Sequence, residues 1–251
     1  MHVYRLQIEY DGGAFHGWQI QAELRTVQGE IDRALTLVTR QTIRTTGAGR
    51  TDQGVHARGQ VASFRCDSPV DCRRAVRGVE GICGRELRVR RMEEAPEDFH
   101  ARRAAMWREY RYRILEDPSA LLPDRAWRPH EVPALALLRE ASGAILGRHD
   151  FTSFASASSD QVDPRCAILR ADWDCWEAGI QLTIRADHFL YKMVRTLVGT
   201  LLRESCSGGG GADRMQAIIE GRSRQLAAPP APSAGLCLER VGYDPPWPSG
   251  S

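Results

Sequence analysis

The chain has 251 residues, a formal net charge of +2, 42% hydrophobic and 26% charged residues, as is ordinary for a globular protein of one large domain or two small ones. It has no apolar run near the roughly 20 residues that span a bilayer and no signal-like start, so we expect a cytoplasmic protein with no membrane partner. Seven cysteines without a C-x-x-C pair predict neither a disulfide framework nor a zinc site.

The first half of the chain predicts strands and helices in an α+β order. In residues 4–10, YRLQIEY, every second residue is apolar, the pattern of a half-buried strand. Residues 26–40 carry an apolar stripe at helical spacing behind Thr26, a residue type that caps helix N-termini. The other elements predicted in this half are a strand over 60–64, a helix over 72–82, and strands over 87–92 and 108–115.

The second half predicts a similar order. A proline-bearing passage at 116–133 is predicted to be a linker, and the glycines at 208–211 a surface loop. The other predicted elements are a helix over 134–146, strands over 167–175 and 180–186, and a helix over 189–205. The sequence therefore predicts two similar α+β halves, residues 1–115 and 116–251.

One glycine-rich stretch, GAGRTDQGVH at 47–56, places Asp52 between Arg50 and His56. No second carboxylate lies within ten residues, which argues against a metal site. The stretch lacks the third glycine of a dinucleotide-binding loop, and the chain has no G-x-S-x-G nucleophile elbow. Two hypotheses remain: a single activated carboxylate held by cations, or a plain turn of the kind that Asp and Gly favour.

The basic residues favour a polyanionic partner. Lys192 is the only lysine, so nearly every cation is a guanidinium, which can fork onto phosphate and stack on a base. Residues 71–113 contain twelve arginines and eight acids, a local surplus of positive charge. The alternative explanation is a biased genome, which would favour arginine over lysine in the same way without a polyanionic partner.

The stretch GRTDQGVHA at 49–57 resembles the catalytic signature of the TruA family of tRNA pseudouridine synthases. Further segments resemble the family in the same order along nearly the whole chain. They are EYDGGAFHGWQ (9–19), TVQGEIDRAL (26–35), DFHARRAAMWREYRYRI (98–114), DFTSF (150–154), HFLYKMVRTLVGTL (188–201) and APSAGLCLERVGY (231–243).

The resemblance implies a fold and an activity. The fold is α+β, with two similar halves, each an antiparallel sheet with helices on one face, flanking a basic central cleft. The family isomerises uridine to pseudouridine at positions 38, 39 and 40 of tRNA, in the anticodon stem-loop. It acts as a homodimer and uses no metal and no organic cofactor.

The resemblance also implies roles for individual residues. Asp52 is the expected nucleophile, as suits an ionised carboxylate exposed on a bend. Arg195 is expected to pair with that carboxylate and to favour its ionised form. The alternative is a solvent-exposed arginine, because Arg195 lies off the apolar stripe of its predicted helix. Tyr110 is the expected active-site tyrosine, which stacks on the target base and takes part in proton transfer, although Tyr112 shares its strand face and makes a core position an alternative.

Further residues are expected to contact the RNA. Arg50 is expected to hold the nucleotide extruded from its stem, which needs a cationic pocket. For His56, a contact with the RNA and a turn-stabilising hydrogen bond are equal alternatives. The remaining residues expected either along the RNA path or in structural positions are Phe15, His16, Trp18, His100 and Arg102.

The chain departs from the family pattern in three places. Gln53 stands where the family usually has alanine, and the loop at 77–89 lacks the family's asparagine and Leu-Pro pair. Cys166 takes the place of an arginine. The alternatives are a pseudouridine synthase for other RNA sites, a non-catalytic RNA-binding protein on the same scaffold and, less well supported, a glycoside hydrolase with a second carboxylate distant in sequence.

Overall fold

The computed structural model describes residues 1–118, 125–156 and 163–244, in which the chain forms nine strands and five α-helices. In chain order they are β1 (His2–Tyr10), α1 (Val27–Thr39), β2 (Thr46–Gly47), β3 (His56–Cys66), α2 (Cys72–Cys83), β4 (Leu87–Glu94), β5 (Trp107–Leu115), α3 (Leu135–Gly143), β6 (Gly147–Asp150), β7 (Arg165–Trp176), β8 (Gly179–Ala186), α4 (Met193–Cys206), α5 (Gly211–Gly221) and β9 (Leu236–Gly242). The predicted α+β class is confirmed. Among the described helices, none has the length and apolar character needed to cross a membrane.

The chain divides into two compact units. One contains Met1–Met106 and the chain from Cys237 onwards, and the other contains Trp107–Leu236. These units differ from the predicted halves 1–115 and 116–251 at both ends. β5 belongs to the second unit because it pairs along its length with β8, and β9 belongs to the first because it pairs with β3.

The sheet of the first unit has the strand order β4-β1-β3-β9, with the short β2 also paired to β3. β1 runs antiparallel to both β3 and β4, whereas β9 runs parallel to β3. The sheet is therefore mixed, not antiparallel as predicted, because the last strand of the chain returns to this unit. The apolar positions of β1 are buried, as its alternation predicts.

Two capped helices pack in the first unit. Thr26 caps α1 by accepting a hydrogen bond from the Gly29 N–H, which confirms the predicted N-cap. Asp71 caps α2 in the same way through the Arg74 N–H. The two helices meet where Gly78 faces Val38, since a Cβ at Gly78 would lie 2.4 Å from a Val38 methyl carbon.

The sheet of the second unit has the order β5-β8-β7-β6 and is antiparallel throughout. Helix α3 lies against β7, and the Trp173 indole N–H donates to the Ser142 hydroxyl across 2.9 Å. Helices α3, α4 and α5 pack against one another. Together they bury the apolar stripe of α4, which includes Leu197, Val198 and Leu201.

Two predicted segments differ from the structure in this unit. Helix α4 begins at Met193 instead of residue 189, because Lys192 takes a left-handed conformation with φ of 60°. Part of the predicted linker lies against β5, where the Trp127 N–H donates to the Arg113 carbonyl. Its residues 119–124 lie outside the described residues.

Candidate active site

Asp52 lies on a bend between β2 and β3, in the first unit. Its carbonyl accepts the Val55 N–H at 3.2 Å, which closes the turn, and Gly54 has a φ of +79° that favours glycine. Asp52 is half-buried, whereas Arg50 and Gln53 are exposed. The bend therefore presents a partly solvated carboxylate with an arginine two residues before it.

Backbone from residues 12–18 packs directly behind this bend. A Cβ at Gly12 would lie 2.2 Å from the Val55 carbonyl oxygen, and a Cβ at Gly17 would lie 2.8 Å from the Thr51 carbonyl oxygen. The Trp18 N–H donates to that Thr51 oxygen across 3.0 Å. Only glycine permits these approaches, so the loop that follows β1 fixes the backbone of the Asp52 bend.

Buried polar side chains hold the same bend from within the unit. The Tyr10 hydroxyl lies 2.7 Å from the Thr51 hydroxyl oxygen. The Gln60 side-chain amide donates to the Gly49 carbonyl at 2.9 Å. Neither Tyr10 nor Gln60 was assigned to the site from the sequence, although a glutamine inside an otherwise apolar strand is a signal that a buried partner is required.

His56 is buried at the start of β3, with 4% of its surface exposed. Its Nδ1 lies 3.1 Å from the Gly12 N–H and 3.1 Å from an Asp11 carboxylate oxygen. A neutral ring accepts the Gly12 hydrogen there, whereas a protonated ring would donate to Asp11. The structure thus gives His56 a turn-stabilising contact, and its contact with RNA stays a prediction.

The other first-unit residues separate into buried and exposed groups. Phe15 and Trp18 are almost fully buried, and Arg25 lies over the Phe15 ring at 4.7 Å, so both aromatic rings are core residues. His16 and Arg102 are exposed, which leaves them open to a role in RNA binding. For His100, burial and the nearby Arg103 and Arg102 charges lower the pKa, and Nδ1 accepts the Arg102 N–H.

Tyr110 lies on β5, in the second unit, and is 7% exposed. Its ring meets the Phe189 ring edge-on, with 5.3 Å between centroids, and its backbone pairs with Ile184. Tyr112, on the same strand face, is fully buried and donates its hydroxyl to the Pro232 carbonyl at 2.8 Å. Tyr112 is therefore the core residue of the pair, and Tyr110 is the less buried one.

Arg195 lies in the first turn of α4 and is half-buried. Its Nε donates to the Ala231 carbonyl at 2.7 Å, and the Ala231 N–H donates to the Arg195 carbonyl at 3.0 Å. The arginine is thus not simply solvated. Burial raises the pKa of Tyr112, and the Arg195 charge opposes that rise, so the guanidinium also acts electrostatically on the buried phenol.

One group of side chains in the described residues lies at metal-binding distances: ligand atoms of Cys166, Asp187 and His188 are within 4.8 Å of one another. Asp187 Oδ1 already accepts the N–H groups of Ala167 and His188, and Oδ2 accepts from Arg148. Burial raises the pKa of the Cys166 thiol to about 12, which opposes the deprotonation that metal binding needs. The group fits hydrogen bonding better than metal binding, and a reaction without metal or cofactor stays a prediction.

Comparisons with known proteins identify the family. A family model described as tRNA pseudouridine synthase matches residues 141–244. A Chlorobaculum tepidum protein named tRNA pseudouridine synthase A is 38% identical over 240 residues, covering 95% of this chain and 97% of the relative. Proteins of that name from Bacillus pumilus (37% identical; 94% and 97% covered) and Sinorhizobium medicae (38%; 97% and 100%) match similarly. The chain, with its glycine-framed aspartate bend, therefore belongs to the tRNA pseudouridine synthase A family of isomerases.

Proposed function

We propose that this protein isomerises uridine to pseudouridine at positions 38, 39 and 40 in the anticodon stem-loop of tRNA, with Asp52 as the nucleophile. The observation that carries the proposal is the Asp52 bend: a half-buried carboxylate, beside an exposed arginine, on a backbone held by Gly12, Gly17 and Trp18. A preorganised carboxylate of this kind suits covalent catalysis.

The proposed reaction balances without a co-reactant. The Asp52 carboxylate forms a bond with the uridine, and the bond between the base nitrogen and the ribose carbon breaks. The freed uracil turns and bonds to the ribose through its C5 carbon, C5 loses its proton to solvent, and the base nitrogen gains one. The carboxylate is released, so product and substrate are isomers.

Three further residues have proposed roles. Arg50 holds the phosphate of the extruded nucleotide, because its side chain is exposed two residues from the nucleophile. Tyr110 stacks on the base, and Arg195 favours the ionised carboxylate. The proposal requires these two groups of the second unit to act on the same uridine as Asp52, in a basic cleft flanked by the two halves.

The proposal also includes the assembly and the setting. We propose a homodimer that works in the cytoplasm on tRNA without a metal or an organic cofactor, as the family resemblance implies. The alternatives are a synthase for other RNA sites and an RNA-binding protein without catalytic activity. A single experiment separates them.

The test uses unmodified tRNA labelled with tritium at uracil C5, with release of label to water as the measurement. We expect release by the wild type and at least a roughly thousandfold slower rate for Asp52→Asn, because the nucleophile is lost. Asp67→Asn, which changes an exposed aspartate just after β3, is the matched control and should retain the full rate.

The outcomes distinguish the alternatives. Release that maps to other uridines would replace the anticodon substrate by another RNA site. Binding of tRNA without release by the wild type would favour the non-catalytic protein. Equal rates for the wild type and Asp52→Asn would overturn the role of Asp52.

A further inference from the structure

A continuous hydrogen-bonded network of buried polar groups lies behind the Asp52 bend. The Gln60 amide nitrogen lies 2.9 Å from the Gly49 carbonyl and 3.5 Å from the Tyr10 hydroxyl. The Tyr10 hydroxyl lies 2.7 Å from the Thr51 hydroxyl. Gln60, Tyr10 and Thr51 are 0%, 3% and 6% exposed, so this hydrogen-bonded network is closed to solvent.

The Gln60 amide nitrogen has a fixed role among these groups, whereas the hydroxyls do not. An amide nitrogen only donates, so Gln60 donates to the oxygen of Tyr10. Between the Tyr10 and Thr51 hydroxyls, 2.7 Å apart, either oxygen can be the donor. A buried polar group that is left without its hydrogen bond is destabilising, so each of these groups fixes the position of the next.

The hydrogen-bonded network contacts the bend on both sides of Arg50. Gly49 is held through its carbonyl by Gln60, and Thr51 is held through its hydroxyl by Tyr10. The Thr51 carbonyl is held separately by the Trp18 N–H. Asp52 is the next residue, so its starting position and direction are set by groups that do not themselves reach the surface.

We infer that Tyr10 and Gln60 are positioning residues for the Asp52 carboxylate, acting through Thr51 and Gly49. The inference rests on the proposed function of Asp52. A displacement of about 1 Å in a reacting group costs on the order of a hundredfold in rate. Loss of the Tyr10 hydroxyl therefore reduces the rate of the chemical step more than it reduces stability or binding.

The strand that carries Tyr10 also supplies a matched control. Tyr4 lies on the same face of β1, is 2% exposed, and accepts the Val70 N–H on its hydroxyl at 2.8 Å. Tyr4→Phe and Tyr10→Phe each remove one buried phenolic hydroxyl and keep the ring. Only Tyr10→Phe removes a contact with the Asp52 bend.

The kinetic experiment compares single-turnover rates, tRNA dissociation constants and melting temperatures of both variants. We expect Tyr10→Phe to lower the rate by about 10–100-fold, with dissociation constants within about twofold and melting temperatures close to those of Tyr4→Phe. Adding Thr51→Val to Tyr10→Phe should cost little more, because both changes break the same bond. Equal rates for the two tyrosine variants would overturn the inference.

A second measurement does not depend on activity. Amide hydrogen exchange over residues 48–56 should be faster in Tyr10→Phe and Gln60→Leu than in Tyr4→Phe, because the bend loses its internal anchors. Unchanged exchange in this segment would contradict the inference even if the wild type were inactive. Loss of wild-type tritium release with intact exchange differences would instead overturn the proposed function alone.

Discussion

Arg195 and Ala231 hydrogen-bond each other in both directions: the side-chain Nε of Arg195 donates to the Ala231 carbonyl at 2.7 Å, and the Ala231 N–H donates to the backbone carbonyl of Arg195 at 3.0 Å. One turn and a residue further along α4, the Thr200 hydroxyl accepts the Ala228 N–H at 3.0 Å. The segment before β9 is therefore hydrogen-bonded to α4 at two positions along the helix. The direction of the guanidinium depends on this segment as well as on α4.

Replacing Arg195 by lysine tests this dependence. Lysine keeps the positive charge but has no N–H at the position of Nε, so the bond to the Ala231 carbonyl is lost. We expect a loss of about 1–3 kcal/mol in the free energy of unfolding and a tritium-release rate lower by about tenfold or more, because lysine does not reproduce a fixed guanidinium. Thermal melting and the labelled tRNA assay measure the two effects.

The matched control lies on the same helix. Arg203 donates to the Glu204 carboxylate at 2.6 Å and to the Leu226 carbonyl at 2.6 Å, so Arg203→Lys also disturbs a helix-to-loop contact. We expect Arg203→Lys to retain the wild-type rate. A similar loss of rate in both variants would mean that Arg195 acts only through stability.

Tyr110→Phe separates stacking from the hydroxyl of Tyr110. Phenylalanine keeps the edge-on contact with Phe189, so tRNA affinity should stay within about twofold while the rate falls about a hundredfold if the phenol transfers a proton. Tyr110→Ala should weaken tRNA binding as well and destabilise the fold by about 3 kcal/mol or more. Filter binding and tritium release distinguish the two roles. Full activity of Tyr110→Ala would rule out both.

Gly12→Ala should damage the site without removing a polar side chain. The added Cβ would lie 2.2 Å from the Val55 carbonyl oxygen and 2.3 Å from its carbonyl carbon, so the Asp52 bend must shift. We expect a loss of about 2–3 kcal/mol in stability and a strongly reduced rate, measured by urea unfolding and tritium release. In the control Gly81→Ala, the new Cβ meets nothing within 4 Å, and α2 should gain about 0.5–1 kcal/mol.

The sequence predicts the local features of this fold and misses those that depend on distant pairing. The alternation of β1 and the Thr26 cap are local signals, and both are confirmed. The parallel pairing of β9 with β3 joins residues far apart in the chain, which no local pattern marks. Helix α5 begins at Gly211, inside the glycine run predicted as a loop, because Gly210 takes a φ of +78° and ends that loop.

The same distinction applies to the candidate site. The position of Asp52 on a bend follows from the glycines around it, and the resemblance assigns the residues expected to act. The anchors behind the bend, Tyr10 and Gln60, come from two different strands and meet only in the folded unit. Sequence spacing alone could therefore name the bend but not the groups that hold it.

Asp32 offers a test of stability against pH. Its Oδ1 accepts the N–H and hydroxyl of Thr45, and only 4% of the residue is exposed. Burial raises the pKa of Asp32 above its ordinary value of 3.8, and the Thr45 hydrogen bonds and the Arg44 charge oppose the rise without cancelling it. The folded state therefore resists ionisation of this carboxyl.

The sign of the expected effect follows from linkage. A carboxyl whose pKa is raised in the folded state destabilises the fold when it is ionised, above that pKa, and this cost disappears as the pH falls towards 3.8. Asp32→Asn has no charge to bury. We therefore expect its melting temperature, relative to the wild type, to be higher at pH 7 than at pH 4, by about 2–4 °C for each 1 kcal/mol.

Asp150→Asn provides the opposite case. Although burial alone would raise it, hydrogen bonds from the Thr152 N–H and hydroxyl and the nearby Arg222 charge lower the pKa of Asp150. That carboxylate stabilises the fold above pH 3.8, and its contribution is lost as the pH falls below it. Asp150→Asn should therefore melt below the wild type at pH 7, and this difference should shrink in acid. Parallel pH profiles for the two variants would contradict the assignment, because burial dominates at Asp32 whereas hydrogen bonds and positive charge dominate at Asp150.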